Sequence, residues 1–98
     1  MLLESEGFEV VGEAADGASA IEAARALGPD VILLDVYLPD INGFEVAAEL
    51  MRNGDPPEIV LTSSRDPRDF GALVEQSGAR GFISKAELSG ASLAALLE

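Results

Sequence analysis

VILLDVYLPDINGFE, residues 31–45, decides the fold. Four large apolar residues, Val31–Leu34, stop abruptly on Asp35 and give way to a turn-prone loop holding Pro39 and Gly43. A short, continuously apolar and β-rich run is the pattern of a parallel strand buried on both faces. An ionised carboxylate beside such a core costs free energy unless something compensates it, so Asp35 is either a helix cap or a reactive group.

Periodicity on either side of this strand is helical. GASAIEAARAL (17–27) places Ala20, Ala23, Ala24 and Leu27 on one face, and Gly28-Pro29 stops it. The spacing predicts a second helix over about 43–52, with Phe44, Ala47, Ala48 and Met51 on its apolar face and Asn53-Gly54 at its end. EIVLTS (58–63) is a second buried strand, and GFISK (81–85) is a third, shorter one. Between them, Phe70, Leu73 and Val74 mark a helix after Asp66-Pro67, closed by Ser77-Gly78. Leu93, Leu96 and Leu97 stripe a last helix capped by Ser89. Upstream, FEVVGEAAD (8–16) opens with a strand-like run around Val10 and Val11, and Asp16 and Asp40 read as solvated loop acids. Strands alternating with helices at this interval predict an α/β, doubly wound parallel sheet covered on both faces.

Composition narrows the function. Ninety-eight residues, 48% hydrophobic, suffice for one domain. No apolar stretch approaches the roughly 18 residues of a membrane span. MLLESEG at the N-terminus carries acids where a signal peptide carries basic residues, so a cytoplasmic location is expected. The absence of Cys and His excludes disulfides, Cys/His zinc sites and Ser-His catalysis. A formal charge of −12 with only six basic residues argues against direct nucleic-acid binding. Five of those six are arginine, and Lys85 is the sole lysine.

In parallel α/β sheets ligands bind outside the carboxyl ends of the strands. The three predicted strands end in Asp35, in Thr62-Ser63 and in Lys85, so an acid, a hydroxyl and a lysine meet on one edge. They could form an ion pair with a hydrogen-bonding neighbour, but burial of such a pair is rarely stabilising in itself. Carboxylates can also act as nucleophiles and form aspartyl phosphates, whose oxygens need cations and donors of the kind Lys85, Thr62 and nearby backbone N–H groups supply.

VILLDVYLPDINGFE, IVLTSS and GFISK, in this order and at these intervals, resemble the receiver domain of bacterial two-component response regulators, and the resemblance covers residues 1 to 98. GARGFISKAEL is similar to receivers of the subfamily that usually carries a helix-turn-helix output domain. The resemblance implies a flavodoxin-like fold and phosphoryl transfer from a histidine kinase onto Asp35. Thr62 would contact the phosphoryl group, Lys85 would be its counter-cation, and the Tyr37 backbone carbonyl together with Asp35 would be a ligand of Mg²⁺. Phe82 would be the aromatic whose burial tracks activation. The family is not enzymatic beyond slow self-dephosphorylation. The rival expectation is a degenerate, phosphorylation-independent receiver that serves only as an interaction domain. A small-molecule-binding α/β fragment is a third, without a G-x-G-x-x-G loop to support it.

Against the family pattern, the first strand with its pair of Mg²⁺-binding acids and most of the first helix have no counterpart, and Ala86 stands where many receivers have proline. Residues 1–98 are therefore expected to be a receiver domain incomplete at its N-terminus, without an output domain and with impaired Mg²⁺ binding. In the sheet order 2-1-3-4-5 known for flavodoxin-like folds, this leaves a slot between FEVV and VILLD. The strands could close up, a second copy could fill the slot as a homodimer, or the segment could lie outside this sequence, which is the favoured expectation.

Overall fold

The computed structural model describes residues 14–52, 54 and 56–97. Helix α1, Gly17–Leu27, begins after Asp16, which accepts from the Ser19 N–H at 2.7 Å. It ends on Gly28, whose φ of 58° is left-handed. Strand β1, Val31–Asp35, follows, then α2, Gly43–Met51, capped by Asn42 through the Glu45 N–H at 2.9 Å. Strand β2 is Glu58–Ser63, β3 is Gly81–Ser84, and α4 is Gly90–Leu97. Ser89 caps α4 as expected, its Oγ accepting from the Ser92 N–H at 3.0 Å.

All strand pairs are parallel, in the order β1-β2-β3 among the described residues. Val31 to Asp35 face Glu58 to Thr62 in unbroken register, and Val60 to Ser63 face Gly81 to Ser84. Strand residues alternate between faces, and the core divides accordingly. Leu34, Ile59 and Leu61 join Val46, Ala47, Leu50 and Phe70, with Ala20, Ile21 and Ala24 of α1 packed against them. Val60, Ile83 and Leu93 form the other cluster, with Leu33, Leu96 and Leu97. Helices α1 and α2 thus cover one face and α4 the other, the doubly wound arrangement that the sequence predicts.

Three details differ from expectation. The helix predicted after Asp66-Pro67 is broken into a 3₁₀ turn, Pro67–Phe70, and a single-turn α3, Leu73–Gln76. Between them Gly71 takes φ 56° and ψ −130°, which no helix contains and a side chain would resist. Secondly, the buried face of α2 is Gly43, Val46, Ala47 and Leu50, while Ala48 and Met51 are exposed. Gly43 sets this rotation: a Cβ there would meet the Asp35 carbonyl and lie 2.9 Å from Val36 Cα, so its bare side must face β1. Thirdly, Leu27 at the end of the predicted α1 face is exposed, and Ile21 packs in the core instead. The predicted strand around FEVV lies outside the described residues, as does Asn53.

Candidate functional site

The alternation that builds the two faces also places the polar residues. Leu33, Val60 and Ile83 belong to the cluster beneath α4. Two residues further along each chain segment come Asp35, Thr62 and Lys85, and residues i and i+2 share a face. Asp35 sits opposite Thr62 and Thr62 opposite Ile83. Lys85 lies just past β3, held there by its N–H donating to the Ser63 carbonyl at 2.9 Å.

Lys85 Nζ lies 2.6 Å from Asp35 Oδ2, with side chains 50% and 30% exposed. Asp35 Oδ1 accepts from the Tyr37 N–H at 3.1 Å. Asp35 is therefore not a helix cap, since Asn42 does that work for α2. The pair is short and charge-assisted, but ion pairs this open to water contribute only about 0–1 kcal/mol to stability. Thr62 is buried beside Asp35, and its Oγ1 donates to the Ile83 carbonyl at 2.7 Å. Of the expected site residues, Asp35 and Lys85 are thus in contact, and Thr62 is adjacent with its hydroxyl engaged elsewhere.

The loop after Asp35 is tied at several points. Val36 is buried, and its N–H donates to the Thr62 carbonyl at 2.9 Å. The Gly43 N–H donates to the Val36 carbonyl at 2.7 Å. Tyr37 is 55% exposed, with the Arg65 guanidinium 5.6 Å from its ring centre and the Phe70 ring 6.1 Å away. Phe82 lies on the opposite face of the sheet from Asp35, 5.7 Å from Phe70, so it belongs to the aromatic cluster and not to the polar one. Asp40 and Asp16 are not simply solvated. Asp40 Oδ1 accepts from the Gly17 N–H at 2.7 Å and Oδ2 from the Ala18 N–H at 3.0 Å. Those two bonds, Gly17 first, hold its carboxyl down at about 2, against an ordinary 3.8.

Arg65 and the capping Asn42 are residues that sequence reading passed over, and Asp40 is one that it took for a solvated acid. Asn42 could have been found, because Asn followed three residues later by Glu45 is a helix-start signature. Nothing local betrays Asp40 or Arg65, whose partners come from other elements.

For a divalent cation, the carboxylate of Asp35 and backbone carbonyls of its loop are hard oxygen donors of the right kind for Mg²⁺. Their number is small: among the described residues no three or more acidic side chains converge on one point. They fit as part of a site.

The chain matches the family model described as response regulator receiver domain over residues 1–97. It is 35% identical over its whole length to the response regulator GacA of Pseudomonas viridiflava, spanning 44% of that protein. It is also 41% identical, over 92% of its length, to a protein-glutamate methylesterase/protein-glutamine glutaminase of Alkalilimnicola ehrlichii, spanning 24% of it. Among solved structures, the signal receiver domain of the response regulator NarL from Mycobacterium tuberculosis superposes with a TM-score of 0.82 at 37% identity, covering 98% of this chain and 81% of that one. CheY4 of Vibrio cholerae gives 0.82 at 26% identity, covering 98% and 80%. The chain spans less than half the length of the curated relatives named here.

Proposed function

Because the chain belongs to the response regulator receiver domain family, we propose that it takes a phosphoryl group from a histidine kinase onto Asp35 and signals the change to a partner or output surface. The observation that carries this reading is the 2.6 Å contact of Lys85 Nζ with Asp35 Oδ2 at the carboxyl edge of the sheet. A lysine placed there adds little to stability and much to the handling of an anion.

In the proposed step an Asp35 carboxylate oxygen attacks the phosphorus of phosphohistidine. An O–P bond forms as the P–N bond breaks, and the imidazole leaves with a proton from solvent. Lys85 trades its carboxylate partner for a phosphoryl oxygen, neutralising charge as it develops. Thr62 can release the Ile83 carbonyl and turn its hydroxyl to the same group. Backbone N–H groups at the strand ends hold the remaining oxygens. Asp35 and the Tyr37 carbonyl would hold part of a Mg²⁺ site, and the ion, when bound, supplies charge neutralisation at the phosphoryl oxygens. With so few donors from the described residues, weak Mg²⁺ affinity belongs to the same proposal. Phe82, against Phe70, is proposed to carry the change toward the α3 side. A cytoplasmic setting fits a kinase donor, and no helix of the described residues is long and apolar enough to cross a membrane.

Incubation with a small acyl phosphate and Mg²⁺, followed by mass spectrometry, tests the acceptor. One phosphoryl group should appear on Asp35 and none on an Asp35→Ala variant. Phosphate retained by that variant overturns the assignment, and a wild-type chain that takes none is a docking module.

A further inference from the structure

Loop 36–42 begins at Asp35 and carries the carbonyl of Tyr37, so its shape fixes the backbone groups around the proposed acceptor. At its start it is fastened to the sheet by the Val36 N–H on Thr62 and by the Tyr37 N–H on Asp35 itself. Its far half is fastened to a different element. Asp40 places one carboxylate oxygen on the Gly17 N–H at 2.7 Å and the other on the Ala18 N–H at 3.0 Å, both in the first turn of α1. The neighbouring Ile41 lies directly over buried Gly17: a Cβ at Gly17 would meet Ile41 Cγ1 and approach its Cδ1 to 2.8 Å. At the loop's exit Gly43 sits against the backbone of Asp35 and Val36.

The first turn of α1 does not need Asp40 as its cap, because Asp16 already fills that role through the Ser19 N–H at 2.7 Å. The bidentate bond from Asp40 uses two further N–H groups of that turn, which a helix end leaves unsatisfied. Its consequence falls on the loop, where residues 37–39 hang between the anchor on Asp35 and the anchor on α1.

We propose that Asp40 is a positioning residue for the chemistry at Asp35: by clasping the first turn of α1 it holds the far half of loop 36–42, and with it the Tyr37 carbonyl, in the arrangement that phosphoryl uptake requires. The proposal rests on Asp35 being the acceptor. Partners that orient the ligands of a metal site typically matter by about tenfold or more, and misplacing a reacting group by about 1 Å from afar costs as much.

Asp16 provides the control, since it caps the same helix without touching the loop. Asp16→Ala and Asp40→Ala each remove carboxylate contacts from one turn of α1, and urea denaturation measures what each costs in stability. Asp40→Ala should slow phosphorylation of Asp35 by an acyl phosphate about tenfold at a temperature where the fold is intact, and Asp16→Ala should leave the rate within about twofold of wild type. Asp40→Asn, which keeps one acceptor oxygen, should fall between. Amide exchange should rise at residues 37, 38, 40 and 41 in Asp40→Ala alone. Equal slowing by the two alanine variants, or unchanged exchange in the loop, overturns the proposal. Should the wild type take no phosphate, the acceptor reading falls, and loop exchange alone then decides whether Asp40 holds the loop.

Discussion

Two carboxylates in this molecule meet different partners, and the consequences differ. Asp35 meets a lysine in the open, where water screens the attraction, so Lys85→Ala should lower the stability read from urea denaturation by no more than about 1 kcal/mol. Phosphoryl uptake should drop far more, by about a hundredfold, because a positioned donor acts on charge that develops in the transition state. A large stability loss with normal phosphorylation would make Lys85 a structural residue. Asp40 meets two backbone N–H groups and is held at about 2, below its ordinary 3.8. A carboxyl whose folded value is depressed stabilises the fold above its unfolded value and loses that contribution as pH falls through the folded one. The stability difference between wild type and Asp40→Ala should be constant from neutrality to about pH 4 and shrink toward pH 2. A constant difference through that window would deny Asp40 its bonds. Asp35 and Lys85 were legible in the sequence because each ends an apolar run, whereas Asp40 finds its partners 23 and 22 residues away, beyond any local pattern.

Among elements, the 3₁₀ turn matters beyond its length, for it delivers Phe70. That ring is buried and lies 5.5 Å from Phe44 on α2, 5.7 Å from Phe82 on β3 and 6.1 Å from Tyr37 in the loop. Phe70→Ala should cost about 3–5 kcal/mol, while Phe70→Leu, which refills most of the volume, should cost less than half as much. Thermal denaturation of the two variants checks this, and an alanine variant as stable as wild type would mean that the aromatic cluster packs without it. Periodicity found β1, β2 and β3 from their apolar runs and α1 from its i, i+3, i+4 spacing. It joined the 3₁₀ turn and α3 into one helix because Phe70, Leu73 and Val74 keep helical spacing across Gly71. For α2 it chose a stripe that shares Ala47 with the true one but not Val46 or Leu50, since two apolar faces overlap there and the approach of Gly43 to β1 decides between them.

At the scale of the molecule, 18 acidic residues oppose six basic ones. Self-repulsion of that surplus works against the compact state, and raising ionic strength from roughly 10 mM to 150 mM shortens the screening length from about 30 Å to about 8 Å. The melting temperature should therefore rise with added sodium chloride over that range. A fall would show that attractive pairs such as Arg25–Glu49, 3.2 Å apart between α1 and α2, outweigh the repulsion. The doubly wound class was legible from strand–helix alternation, and the edge holding the site followed from it. The pairing of residues 8–11 belongs to the part of the chain outside the described residues.

Tyr37 is the sole tyrosine, and the chain has no tryptophan. Its ultraviolet emission beyond 300 nm therefore has a single origin, two residues from the proposed acceptor and 5.6 Å from a guanidinium. The protein carries its own label-free optical reporter beside the proposed acceptor. Because the ring stands half in water, an event at the loop can alter its brightness without unfolding the chain. Titrations with cation or phosphodonor can thus be read on unmodified material, and variants such as Asp16→Ala and Asp40→Ala compared on one signal.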